Sequence, residues 1–489
     1  MNKQGYTSQT PLLGVTLPEY GLGERAFHYA SSHYLTLAST GSGKTLTSAA
    51  HQLIGWPSDL VVITPKEDLC NLSLGRRVDL AMRGDPLLAG WGRRLGVDPR
   101  GITQTRFHLR KGRAMNLDLG GSTAYSASRY TFLSDVRLDE PGAMARLMAI
   151  ARGLIPDQKA NSSSDPYWQL GPQGACAAAF AHVLSTESDP RNQSLVFAVK
   201  RLMGIDPASG QSSPTLQQQL FQEMCANPVL GGFVAAQGAE LLNLGAKTLG
   251  PLMSTIGTRV RWLLSDPRIV EILSGPSDFS LEEIGRGEEP LSIYVTPCRG
   301  DRSTDAFLRM FLELAVLVLQ QRQWTPKRPI LLIADEVPSW GEAQVNTLRA
   351  ALNVLRDKKV VCWLYAQNYA QLIDRVGKEG AAEMLSATTT QVFGVRDGET
   401  VEMIRNRLGK TTIRRAGSGR IDEVFVADSD AVYDELSPKS PLQYVFPFSG
   451  RPVRLSRAAF TTAQTAEGLR VRGLNYRGHF DVGLKPFGG

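Results

Sequence analysis

Ala38-Ser-Thr-Gly-Ser-Gly-Lys-Thr45 is the part of this 489-residue chain whose residue types and spacing best suit chemistry. It follows the pattern G-x-x-x-x-G-K-[S/T], with alanine at the first glycine position. Gly41 and Gly43 can take backbone angles closed to other residues, so the N–H groups of the loop Ser39-Thr40-Gly41-Ser42-Gly43 can converge on one anion. A helix beginning near Lys44 would add the positive end of its dipole. Lys44 would then reach the β- and γ-phosphates of ATP, and the Thr45 hydroxyl would ligate Mg2+. A chance Gly/Ser/Thr loop before a helix spells the same letters. The apolar run Tyr34–Ala38 before it and the helix formers Thr45–Leu53 after it argue for a phosphate-binding loop.

A second constellation lies far along the chain. Ile330-Leu-Leu-Ile-Ala-Asp335-Glu336 is an apolar strand ending in paired acids. Beside a triphosphate, Asp335 would join Thr45 on Mg2+ and Glu336 would orient or deprotonate the attacking water. Alone it reads equally as a strand followed by an acidic turn; together with Lys44 it reads as a hydrolytic site. Gln367 ends the next strand, Val360–Ala366, where a polar side chain would face the ligand crevice of a parallel sheet and could sense the γ-phosphate. Arg349 and Arg356 lie on the helix after Glu336, and a cation at a helix C-terminus is sufficient reason for Arg356.

The elements needed to position these residues can be read from the pattern. Tyr34–Ala38, the loop, a helix and the strand Leu60–Thr64 open a parallel α/β sheet. From about Ser122 to Leu281 the pattern turns helical, with segments at Pro141–Leu154, Gly174–Val183, Leu216–Met224 and Lys247–Leu264, and a polar linker at Asp157–Asp165. Strands return at Leu291–Thr296, Pro329–Ala334, Val360–Tyr365 and Thr390–Val395, with helices at Asp305–Gln321 and Glu342–Arg356 between them. The predicted organisation is one α/β nucleotide-binding domain, 1–121 and 283–489, interrupted by an all-α insertion at 122–282.

A net charge of +7 is compatible with an anionic partner such as nucleic acid. Basic residues crowd Arg93–Arg113 and a stretch holding Arg405, Arg407, Lys410, Arg414, Arg415 and Arg420 around Gly417-Ser-Gly419, where a solvated face is the alternative to phosphate contact. Five scattered cysteines without a CxxC pair point to buried thiols rather than disulfides or zinc. No run reaches the ~20 apolar residues of a membrane span, and the first residues lack a signal-peptide core, which predicts a cytoplasmic protein.

Taken collinearly from Leu12 to Leu455, these segments resemble the type IV secretion coupling proteins, the TraG/TraD family of conjugative DNA-transfer ATPases. The resemblance rests on the phosphate loop, Thr64-Pro-Lys-Glu-Asp-Leu69, Asn116-Leu-Asp-Leu119, Asp165-Pro-Tyr-Trp168, Asp335-Glu336 with Gln367, and Phe393-Gly-Val-Arg-Asp-Gly-Glu-Thr400 followed by Leu408-Gly409. It implies a RecA-like motor domain with an all-α insertion, assembling as a homo-hexamer around a DNA channel. It also implies a role for Arg356 as the arginine that reaches a neighbouring subunit's triphosphate. Implied partners are DNA, a relaxase or secreted protein substrate, and a type IV secretion channel.

Two departures stand out. Members of that family usually carry an N-terminal pair of membrane helices, whereas this sequence begins almost at the motor domain. Either a separate anchor protein recruits it to the inner membrane or it works without the membrane. Thr64 and Glu67 depart from the family's Asp-Pro-Lys-Gly-Glu-Leu turn, so no specific role is assigned to that turn. The expected activity is ATP hydrolysis coupled to DNA transfer. The alternatives are a DNA translocase of the FtsK/HerA class outside secretion, and a nucleotide-switched receptor for protein cargo.

Overall fold

The computed structural model describes residues 12–17, 26–28, 31, 33–56, 58–83, 113–156, 167–287, 290–297, 304–326, 329–414, 421–457, 463–464 and 470–471. The linker Asp157–Asp165, most of the basic Arg93–Arg113 region, Asp165-Pro166, and Arg415 to Arg420 lie outside them.

The main strands are β1 (Leu12–Thr16), β2 (Ala26–His28), β3 (His33–Ala38), β4 (Leu60–Ile63), β5 (Arg113–Asp118), β6 (Leu291–Thr296) and β7 (Ile330–Ala334). They continue with β8 (Val360–Ala366), β9 (Thr389–Phe393), β10 (Lys410–Arg414), β11 (Ile421–Phe425), β12 (Leu442–Phe446) and β13 (Val453–Ser456). An 11-stranded sheet has the order β2-β1-β13-β12-β9-β3-β8-β7-β4-β6-β5. Its centre is parallel: β3 pairs with β8 and β9, and β7 pairs with β8 and β4. Antiparallel β12, β13, β1 and β2 extend the sheet beyond β9. Strands β3, β4 and β7 are buried at every position, as expected of central parallel strands covered on both faces. The fold class is therefore the α/β architecture expected.

The chain divides into two compact units, 1–114 with 285–294 and 325–489, and 115–284 with 295–324. The second unit is mainly helical, but it is larger than the expected 122–282 insertion because it takes in the helix Thr304–Gln321. That helix packs on Ala143–Leu154: a Cβ on Gly153 would lie 2.7 Å from Met310 Cα, and Arg309 Nε donates to the Gly153 carbonyl at 3.1 Å. Tyr130 stacks on Phe279 at 4.7 Å within the same core. Beneath them Asp135 is fully buried, accepting from the Tyr130 hydroxyl at 2.6 Å, from Ser280 Oγ, and from the Leu281 amide at 2.9 Å. Burial outweighs these hydrogen bonds and pushes its carboxyl up to about 6.

Two local expectations are corrected. The helix after the phosphate loop does not start as a regular α-helix: Thr45–Ala49 forms a wide π turn before Ala50–Gly55. The helix expected to reach Arg356 ends at Val354, and Arg356 opens a short 3-10 turn, Arg356–Lys358. Lys359, in a left-handed conformation with φ 54°, then turns the chain into β8.

Candidate nucleotide site

Register decides which residues meet. Leu37 lies opposite Ala366, Ala38 opposite Phe393, and Ala334 opposite both Leu364 and Ile63. Five neighbouring parallel strands, β9, β3, β8, β7 and β4, therefore end along one crest. The next residues are Gly394, Ser39, Gln367, Asp335 and Thr64. Ligands of open α/β sheets bind at that carboxyl edge. Residues more than 300 positions apart in sequence are thereby brought to one place.

The loop itself has the predicted backbone. Gly41 and Gly43 have φ of 77° and 89°, angles that favour glycine. Ser42 folds back on Ser39, its amide and hydroxyl donating to the Ser39 carbonyl at 3.2 and 2.6 Å. The Thr47 amide and hydroxyl both donate to the Gly43 carbonyl at 2.9 Å, and Thr40 and Gly41 are exposed.

Three supports of this loop escaped the sequence reading. Gly394 has φ 63°, and a Cβ there would lie 2.3 Å from Ser42 Cβ. The buried Arg457 donates to the carbonyls of Ser42 and Ser440 and lies over the Phe393 ring at 5.0 Å. It has carbonyls rather than a carboxylate as partners, and burial brings its guanidinium down to about 10. Ser48, on the helix after the loop, is held from below by Tyr365 at 3.1 Å and by Gln391 Oε1 at 3.0 Å. Gln391 in turn accepts from Thr36 at 3.0 Å and donates to Gln443 at 2.6 Å. Every polar atom named in this network is paired, so it fixes the helix without an unsatisfied group.

Lys44, Asp335, Glu336 and Lys66 form a compact charge cluster. Burial lowers the Lys44 ammonium, with the charges of Asp335 and Glu336 opposing the shift and Lys66 adding to it. Burial raises Asp335, opposed chiefly by Lys44. Glu336 has φ 54°, unusual for a residue with a side chain. Its carboxylate accepts from Gln367 Nε2 at 2.8 Å, and Lys66 Nζ stands 3.4 Å from each of its oxygens. The Thr64 hydroxyl lies 3.4 Å from Asp335 Oδ2 and 3.0 Å from the Lys66 carbonyl, and accepts from the Lys66 amide at 3.2 Å. Thr64 and Lys66 thus belong to the site. The clue available in sequence was their position after an apolar strand, the same clue that singled out Gln367.

The chemistry of Thr45 and Asp335 fits magnesium. A hydroxyl and a half-buried carboxylate are hard oxygen donors, and Mg2+ bound with nucleotide takes few protein ligands beside phosphate and water.

Arg356 does not join this cluster. It is exposed, lies over Phe448 at 5.1 Å, and its charge contributes to lowering His33, the first residue of β3. It therefore sits at the amino end of the strands whose carboxyl ends carry Ser39 and Gln367, about 20 Å away along β8. Three basic residues of the later segment are engaged within the chain. Arg405 pairs with Glu402 at 2.8 Å, Lys410 with Glu423 at 3.3 Å, and Arg407 donates to Thr390 at 2.9 Å. Among the described residues no helix is long and apolar enough to cross a membrane.

The family described as type IV secretory system conjugative DNA transfer matches residues 121–433, more than half of the chain. The match includes Asp335, Glu336 and Gln367 and begins after the phosphate loop. The chain is 19% identical over 393 residues to the coupling protein VirD4 of Bartonella quintana (strain Toulouse), covering 80% of this chain and 55% of that one. It is 21% identical over 435 residues to the conjugal transfer protein TraG of Escherichia coli, covering 84% and 61%. The chain thus spans little more than half the length of these relatives. Among solved structures, the plasmid coupling protein TrwB in complex with ADP and Mg2+ aligns at TM-score 0.58 and 16% identity, over 95% of this chain and 91% of that one. VirB4 of Thermoanaerobacter pseudethanolicus aligns at 0.51 and 13%, over 93% and 97%. The fold expected from the resemblance, a RecA-like P-loop NTPase, is the fold these structures share with this chain.

Proposed function

This chain belongs to the type IV secretory system conjugative DNA transfer family, and from that premise we propose that it is an ATPase coupling hydrolysis to transfer of DNA, or of a relaxase–DNA complex, into a type IV secretion channel. The observation that carries the reading is the meeting of Lys44 with Asp335, Glu336 and Gln367 at one sheet edge. The complex of TrwB with ADP and Mg2+ supports the choice of ligands.

In this reading the N–H groups of the phosphate loop other than those of Ser39 and Ser42, which bond the Gly394 and Ser39 carbonyls, cradle the phosphates, and the Lys44 ammonium neutralises the β- and γ-oxygens. Bound Mg2+, held by Thr45 and Asp335, would supply charge stabilisation at the transferring phosphoryl group. Glu336, held by Gln367, orients a water in line with the γ-phosphorus and accepts its proton as the bond to the β–γ bridging oxygen breaks. Arg356 acts in a hexamer, on the triphosphate of a second copy. The helical unit serves as the insertion that receives cargo.

The test is ATP turnover by the purified chain with and without DNA, with particle size recorded in the same samples. Stimulation by DNA supports the motor. Turnover indifferent to DNA favours a nucleotide-switched receptor for protein cargo.

A further inference from the structure

Lys66 has no role in the mechanism above, yet its ammonium stands 3.4 Å from both oxygens of the proposed water-orienting carboxylate, Glu336. Building on the ATPase reading, we propose that Lys66 is a γ-phosphate-dependent clamp. Without a triphosphate it holds Glu336; with one it exchanges that carboxylate for the γ-phosphate and releases Glu336 to the attacking water.

Three features support this. The backbone of Lys66 is fixed: its amide donates to Thr64 Oγ1 at 3.2 Å, and the same hydroxyl lies 3.4 Å from Asp335 Oδ2. The base of the side chain is therefore tied to the carboxylate assigned to Mg2+. The head is loosely held, since 3.4 Å to each oxygen exceeds the ~2.7–2.9 Å of a strong charge-assisted hydrogen bond. Its side chain also keeps 32% of its exposure, against 16% for Glu336. Finally, the cluster of Lys44, Lys66, Asp335 and Glu336 has two positive and two negative groups, so its formal charges balance, with Lys66 and Glu336 as an ion pair. A γ-phosphoryl group adds negative charge and strong acceptors, and an ammonium with three rotatable donors can move to meet them. Gln367 keeps its 2.8 Å bond to Glu336 throughout, so the carboxylate stays placed when the cation leaves.

A purely structural Lys66 would affect all nucleotides alike, whereas a γ-phosphate clamp discriminates. The experiment measures equilibrium binding of ADP and of the β,γ-imido analogue of ATP, both with Mg2+, to the full chain as wild type, Lys66→Ala and Lys66→Arg. The expected result for Lys66→Ala is a tenfold or greater loss of analogue affinity with ADP affinity unchanged within about twofold. Lys66→Arg, which keeps a cation, should recover most of the loss. Equal factors for the two nucleotides, or no change in either, overturn the clamp while leaving the ATPase reading intact. If the wild-type chain binds neither nucleotide, the ATPase reading fails and the clamp falls with it.

Discussion

Gln367 Nε2 donates to Glu336 Oε1 at 2.8 Å, joining the residues just beyond the ends of β8 and β7. Because β8 lies between β3 and β7, Gln367 stands between the phosphate loop and the paired acids. Gln367→Leu removes the donor and leaves Glu336 to Lys66 alone. Turnover should fall about 10- to 100-fold with nucleotide affinity little changed, the pattern of a lost transition-state interaction. Steady-state kinetics beside equilibrium binding checks this.

Gly394 sets how closely β9 approaches the phosphate loop. With φ 63° and Ser42 Cβ only 2.3 Å from where its own Cβ would be, Gly394→Ala must displace the loop and strain the backbone. A cost of about 1–2 kcal/mol should appear as roughly tenfold weaker nucleotide binding. Circular dichroism should remain that of the wild type.

The acid response has two opposed contributions. His33 accepts from the Cys362 amide at 3.1 Å through Nδ1, and burial lowers it from 6.5 to about 4. Its neutral form is favoured in the fold, so its stabilising contribution is present above pH 6.5 and is lost as pH falls toward 4. Asp135 is raised from 3.8 to about 6, so its contribution is present below pH 3.8 and is lost as pH rises through 6. The two windows overlap between about pH 4 and 6, so the opposed slopes largely cancel in the wild type and denaturation midpoints there should vary little. His33→Asn, which keeps an acceptor, should leave a net loss of stability as pH rises through 6, while Asp135→Asn should leave a net loss as pH falls toward 4.

Arg356 lies at the end of the sheet remote from its own chain's Lys44. Arg356→Ala should therefore bind nucleotide normally yet lose turnover. Mixed with Glu336→Gln chains, it should regain part of that turnover, because an intact site then meets an intact arginine. Assays of the two variants separately and mixed check this, and no recovery in the mixture counts against action between subunits.

The legible part of the site was what local pattern encodes. The spacing around Lys44, the strand ending at Asp335-Glu336 and the strand ending at Gln367 need only a few consecutive residues each, and strand register brings all four to one sheet edge. Illegible were contacts that depend on sheet register, such as Gly394 against Ser42, Arg457 on the Ser42 carbonyl, and Gln391 beneath Ser48. Thr64 and Lys66 were noticed as a turn but given no role, because their partners lie about 270 positions away. The helix Thr304–Gln321 was readable as a helix. Its apolar stripe did not say which unit it packs on, and Met310 against Gly153 decides that.

The central claim is that Lys44, Asp335, Glu336 and Gln367 form one hydrolytic site. The most direct measurement is nucleotide affinity and ATP turnover of Glu336→Gln, with Lys44→Ala as the binding-deficient reference. Glu336→Gln should bind ATP within about threefold of the wild type while turnover falls ~10²–10⁴-fold, and Lys44→Ala should lose binding. A Glu336→Gln chain that hydrolyses ATP at the wild-type rate would contradict a shared hydrolytic site.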